Sequence, residues 1–163
     1  METLPNDPSR FYHIKVINEG RSIAENCHLV IEYKNHRLDP LITLDPGKWD
    51  KNPEPIAYDP NYGRISDPSL LYHIGESSIG PKSTATFCFL IKYAGEEPCY
   101  GFNAQNYFHP GFRVNDNRRM EIGEYMITTI VKGDNVESEA TFLLTNNGSR
   151  HADVTILRKR GNY

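Results

Sequence analysis

Apolar and polar residues alternate with period two along most of the chain, and helical periodicity is nearly absent. From Phe11 to Asn18, Tyr12, Ile14 and Val16 fall on one face and His13 and Lys15 on the other, and Glu19-Gly20 breaks the run. From Cys27 to Lys34, Cys27, Leu29, Ile31 and Tyr33 point inward, and Asn35-His36 closes the segment. Both runs are rich in β-branched and aromatic residues and bounded by turn formers, as strands are. A shorter strand, Leu41–Leu44, stops at Asp45-Pro46-Gly47, where proline pre-sets φ and glycine accepts a positive φ. The longest candidate is Thr84–Tyr93, with Ala85, Phe87, Phe89, Ile91 and Tyr93 on one face. Thr84, Thr86 and Lys92 look outward beside Cys88 and Leu90, which implies that the outer face is partly covered. Tyr125–Val131 and Glu139–Leu144 form two more strands, turned through Lys132-Gly133-Asp134-Asn135 and ended by Asn146-Asn147-Gly148. Leu70–Ile74 reads as a short strand, and Val154–Leu157 as one more strand or a docked tail.

Two stretches interrupt this pattern. From Lys51 to Pro68 the chain holds Pro53, Pro55, Pro60 and Pro68 and little periodicity, which predicts a long ordered loop. Residues 94–123 are irregular, with short strands expected around Tyr100–Asn103 and Phe112–Asn115. Short strands joined by turn chemistry predict an all-β fold, an immunoglobulin-like antiparallel β-sandwich with two long loop insertions. A closed barrel is the alternative. A parallel α/β sheet is excluded because no amphipathic helices lie between the strands to make its crossovers. The expected organisation is one domain over residues 1–149, with insertions at about 45–69 and 94–123, and a basic C-terminal tail or added strand over 150–163.

The opening of the pattern carries a recognisable phrase. Val16-Ile17-Asn18-Glu19-Gly20 is a strand ending in Asn-x-Gly, and a small-residue linker with Ala24 leads to Cys27 at the next strand. This N-x-G-x-x-x-A-x-x-C phrase resembles the first hairpin of prokaryotic adhesion-type Ig-like domains, the CARDB-like group among them. It is also similar to uncharacterised archaeal and bacterial domains that often sit behind membrane anchors. Later stretches agree in order. Ile79-Gly80-Pro81-Lys82-Ser83-Thr84 looks like their strand entry, and Gly123-Glu124-Tyr125 with the strand around Phe142 looks like their last hairpin. The resemblance implies a sandwich with Tyr125 at a corner. It covers about a third of the chain, its motifs are structural, and it carries over no catalytic residue. The two insertions depart from the family, and the strand of Tyr125 lacks the second cysteine of antibody domains.

Charge and composition narrow the functions. With 18 basic and 21 acidic residues the net charge is -3, which argues against nucleic acid as a partner. The terminal stretch holds Arg150, Arg158, Lys159 and Arg160 against the single acid Asp153, so the remainder is distinctly acidic. No apolar run approaches the roughly 18 residues that span a bilayer. Met1 to Pro8 has neither a basic end nor an apolar stretch. The expected location is cytoplasmic, with an extracytoplasmic domain of an anchored protein as the alternative. Cys27, Cys88 and Cys99 are odd in number and form no C-x-x-C, so free buried thiols are expected. Alternation turns Cys27 inward and Cys88 the other way, which opposes a bond between them.

Nucleotide, hydrolase and zinc-protease signatures are missing, and no cofactor is implied. His13 and His28 lie on neighbouring strands of the pattern and face one another in principle, but a metal needs a third ligand and an oriented surrounding. A Cys99–His109 couple lacks a helix N-terminus to lower the thiol pKa. Asn147-Gly148-Ser149 matches a glycosylation sequon, a pattern that arises readily by chance. No catalytic or metal-binding residue is expected.

Aromatic density in the insertions stands above this background. Tyr100, Phe102, Tyr107, Phe108 and Phe112 interleave with Asn103, Gln105, Asn106 and His109, and Trp49, Tyr58 and Tyr62 belong to the other insertion. Rings with amide neighbours suit a protein or carbohydrate surface. The competing view, which carries more weight, is that the rings fold inward and anchor the insertion as a satellite core. The candidate contact residues are Tyr100, Phe102, Tyr107, His109 and Phe112. The expected function is a non-enzymatic interaction or binding module. A structural subunit assembling by strand addition is one alternative, and an enzyme with a loop-built site is another.

Overall fold

Alternation over strands of nine to twelve residues demands that one face of each be covered, and two antiparallel sheets cover one another here. The computed structural model describes residues 9–52, 56–61, 63–66, 76–103 and 116–159. In chain order the strands are β1 (Ser9–Ile17), β2 (Ala24–Asn35), β3 (Pro40–Leu44), β4 (Lys48–Trp49), β5 (Ile56–Asp59), β6 (Gly63–Ser66) and β7 (Glu76–Ile79). They continue with β8 (Thr84–Tyr93), β9 (Cys99–Gly101), β10 (Arg119–Met120), β11 (Gly123–Lys132), β12 (Glu137–Asn146) and β13 (Val154–Lys159). The five-stranded sheet runs β1-β8-β9-β10, with β4 also beside β8. The six-stranded sheet runs β13-β12-β11-β2-β3, with β7 also beside β2. The chain is therefore an all-β, sandwich-like protein.

Leu29, Ile31 and Tyr33 of β2, Phe87 and Phe89 of β8, and Ile127 of β11 are fully buried between the sheets. Each such side chain contributes about 1.5–3 kcal/mol by leaving water. Trp49 lies among them, edge-on to Phe87 at 5.9 Å, and its indole Nε1 donates to the Cys27 carbonyl at 3.0 Å. The turn into β4 brings the backbone against β2. A Cβ at Gly47 would come within 2.8 Å of the Leu29 Cβ, so only glycine fits there. Tyr125, near the start of β11, donates from its hydroxyl to the Glu121 carbonyl at 2.8 Å and ties that corner to the strand.

The structure corrects the expected faces of β8. Its pairing with β1 passes from Tyr12 opposite Leu90 to His13 opposite Cys88, leaving Phe89 as an extra residue. Such a bulge reverses the alternation beyond it. Ile91 and Tyr93, expected in the row of Phe87, instead form a separate cluster with Tyr100. Lys92, expected to face solvent, is 0% exposed and points at the opposite sheet. Its ammonium donates to the Glu97 carbonyl at 2.6 Å, the Gly148 carbonyl at 2.5 Å and Asn146 Oδ1 at 3.2 Å. Burial pushes its pKa below the ordinary 10.5, against the pull of Cys99, Asp153, Glu96 and Glu97. The lysine thus joins the β8–β9 connection to the end of β12.

A second correction concerns the expected long loop over 51–68, where β5 and β6 form a hairpin around Pro60-Asn61. The pattern hid it because each strand is only four residues long and flanked by proline. The expected strands Leu70–Ile74 and Phe112–Asn115 lie outside the described residues. Residues Val154–Lys159 form β13 on the edge of the larger sheet, paired with β12.

Candidate functional site

The two sheets do not end together. Among the described residues β1 pairs only with β8, so it closes its sheet, while β12 and β13 continue the other sheet. Inward side chains along this side therefore lack a roof. Ile14 and Val16 of β1 and Phe142 of β12 belong to the apolar rows of the alternation but are only half-buried.

A groove follows from this offset. One part, about 270 Å³, is bounded by Ile14, Val16, Ala140, Phe142 and Arg158. It adjoins a hollow of about 410 Å³ at the end of the sandwich, floored by Cys27, Ile79 and Val131. Val16, Ile17, Glu19, Val131 and Ser138 line both. Three large apolar side chains at the hollow are well exposed: Ile17 at 55%, Ile23 at 49% and Val136 at 38%. Single exposed residues of this kind are ordinary, but three around one concavity make a patch.

The walls of the hollow are tied down by two asparagines. Asn18 donates from Nδ2 to the Ser22 and Ile79 carbonyls at 2.8 and 2.9 Å, and its Oδ1 accepts from Gly20 N at 3.0 Å. Across the hollow, Asn135 accepts from Glu25 N at 3.1 Å and donates to the Ile23 carbonyl at 2.9 Å. Gly133 lets the β11–β12 turn approach, since a Cβ there would stand 2.6 Å from the Glu25 carbonyl. The concavity is therefore held open by hydrogen bonds that need no ligand. Asn18, Gly20, Ala24 and Cys27 all line it. Burial, then the nearby Asp134 carboxylate, raises the Cys27 pKa above the ordinary thiol value. The floor is chemically quiet.

The candidate contact residues of the second insertion fall elsewhere. Tyr100 is buried with Ile91 and Tyr93, and Phe102 is buried with its ring edge-on to Phe11 at 5.5 Å. Tyr107, His109 and Phe112 lie outside the described residues. Of the described residues beside positions 104–115, Arg118 donates to Asn103 Oδ1, while Asn103 Nδ2 donates to the Pro46 carbonyl at 2.9 Å. In the other insertion Trp49 is fully buried.

His13 and His28 are on different sheets, so they form no pair. His13 instead meets Asp50 at 3.4 Å, and Asp50 also accepts from the Thr86 hydroxyl at 2.6 Å. Among the described residues no group of three His, Cys, Asp or Glu side chains is placed to hold a metal. All three cysteines are free and buried. Burial pushes the Cys88 and Cys99 thiols up to about 12, so Cys99 has the opposite of a nucleophile's setting. Among the described residues no helix is long and apolar enough to cross a membrane.

Sequence reasoning missed the groove. Its signal was apolar residues inside turns, Ile23 after Gly20-Arg21-Ser22 and Val136 after Gly133-Asp134-Asn135, where solvated side chains are the rule. No family model matches the chain, and no curated protein or solved structure matches it.

Proposed function

We propose that the chain is a non-enzymatic interaction module on an immunoglobulin-like sandwich, and that it binds an extended peptide segment by adding it as a strand beside β1. The observation that carries this reading is that, among the described residues, the Tyr12–Ile17 stretch of β1 has a strand on one side alone, next to half-covered Ile14, Val16 and Phe142. An edge strand presents backbone N–H and C=O groups that another extended chain satisfies, while alternate side chains enter the groove. The Tyr125 hydrogen bond to a carbonyl four residues upstream supports the immunoglobulin-like assignment, as does Trp49 packed on the β2 strand of Cys27. The Asn18-to-Cys27 phrase favours kinship with prokaryotic adhesion-type domains. Assembly between subunits is the second reading, because strand addition serves it equally. The test is to select binders for the full chain from a displayed random-peptide library and to follow backbone amide exchange by NMR. Slowed exchange along β1 on peptide binding is expected. Binders that leave β1 unprotected and slow other strands refute the reading.

A further inference from the structure

The connection from β12 to β13 contains the one Asn-Gly pair of the sequence, Asn147-Gly148. Asparagine is thermally labile, and the reaction that consumes it is attack of the next residue's backbone nitrogen on its side-chain carbonyl. A side chain on that next residue hinders the attack, and glycine has none. Asn147 is exposed, and among the described residues neither its carboxamide nor the Gly148 N–H makes a hydrogen bond. Other asparagines are guarded. Asn18, Asn35, Asn103, Asn135 and Asn146 each hold backbone partners with the side chain, and none of them precedes glycine.

Only glycine fits the turn. A Cβ at Gly148 would stand 2.7 Å from Asp153 Oδ2, and that carboxylate already accepts from Arg150 N at 2.9 Å. The loop is closed at its neck, where Asn147 N donates to the Asp153 carbonyl at 2.9 Å and Asp153 N to the Arg150 carbonyl at 3.0 Å. Within it the Gly148 carbonyl accepts from Lys92 Nζ at 2.5 Å, and the Ser149 carbonyl from Gly95 N at 2.9 Å. The loop that receives the buried lysine is thus the one that carries the labile pair.

We propose that Asn147 is a site of spontaneous deamidation, and that isoaspartate formed there releases the Lys92 tie between the sheets. The Gly148 nitrogen bonds to Asn147 Cγ, the Cγ–Nδ2 bond breaks, and ammonia leaves with the proton of the Gly148 amide. Water then opens the succinimide ring. Opening at Cγ gives aspartate. Opening at the main-chain carbonyl gives isoaspartate, whose backbone runs through the former side chain and is longer by a methylene. A loop pinned on both sides of Gly148 has no slack for an added carbon, so the Gly148 carbonyl moves off the ammonium and Lys92 loses an acceptor. The reaction needs no enzyme and advances with time, so the tie weakens with the age of the molecule.

The test ages the full chain at mildly alkaline pH. Peptide mapping with isoaspartyl methyltransferase labelling locates the product, and urea unfolding followed by Trp49 fluorescence reads stability. Isoaspartate is expected at Asn147 ahead of Asn18, Asn35, Asn103, Asn135 and Asn146, with a lowered urea midpoint in the modified fraction. Asn147→Gln, at an exposed position, is expected to keep its midpoint on ageing. Asn147→Asp carries the new charge without the longer backbone and is expected to unfold near the midpoint of the unaged wild type. In Lys92→Met the fall on ageing is expected to shrink, since the tie is already absent. An Asn147 that stays intact in the folded chain while the unfolded chain deamidates there overturns the site. Isoaspartate at Asn147 that leaves the midpoint unchanged, or lowers it equally in Lys92→Met, overturns the link to the lysine. The full fall in unaged Asn147→Asp overturns the role of the longer backbone.

Discussion

Replacing Lys92 with Met removes the charged post that crosses between the sheets, and the structure sets the size of the loss. The Glu97 carbonyl keeps a donor, because Asn146 Nδ2 reaches it at 2.7 Å. The Gly148 carbonyl and Asn146 Oδ1 lose the ammonium that donates to each, and the Pro98 carbonyl loses only a long contact at 3.5 Å. An unmet buried polar group costs about 1–3 kcal/mol, so two give a gross loss of about 2–6 kcal/mol. The variant no longer carries the cost of burying an ammonium, which offsets part of that. A net destabilisation of about 2–3 kcal/mol is expected. Urea unfolding followed by fluorescence reads it directly, since Trp49 is the sole tryptophan and fully buried. The pH dependence provides the control. Burial lowers the folded-state pKa of Lys92 below 10.5, so in the window between that lowered value and 10.5 the unfolded chain binds more protons. Wild-type stability then gains with rising pH relative to the variant, and the gap widens. A cost under about 1 kcal/mol, or a gap that narrows in that window, refutes the account of the post.

Two further outcomes follow from the core. The folded-state pKa values of Cys88 and Cys99, raised from 9.0 to about 12, contribute stability that is full below pH 9 and lost as pH climbs toward 12. Alkaline urea titrations should show this fall, and a thiol reagent should label none of the three cysteines until denaturant is added; rapid labelling of the folded protein contradicts their burial. Phe87→Ala, which empties a fully buried site against Trp49, should cost about 3–5 kcal/mol by chemical denaturation, and a cost below about 1 kcal/mol removes that ring from the core.

How far the sequence carries can be argued from particular residues. Leu29, Ile31 and Ile127 are legible because alternation forces one row inward and a slip of one residue would expose all of them. The bulge at Phe89 is not legible, since a single extra residue in an apolar run leaves no compositional mark, and with it went the placement of Lys92, Ile91 and Tyr93. Tyr100 and Phe102 show the same limit, because aromatic density signals a need for burial or contact without saying which. Ile14, Val16 and Phe142 show it most clearly. Their pattern reports a preference for burial, but whether a neighbouring strand exists to cover them depends on where each sheet stops.

Charge bears on the side of β1 that has no strand among the described residues. A free strand edge invites pairing with any second copy, and proteins commonly suppress this with charge. Here β1 carries Arg10 and Lys15 at exposed positions, and β13 ends in exposed Arg158 and Lys159. Two copies meeting edge to edge bring these cations together. The strand addition proposed for β1 therefore favours a segment of a different chain over a second copy, and the half-buried row of Ile14, Val16 and Phe142 is the apolar surface that such a segment would cover.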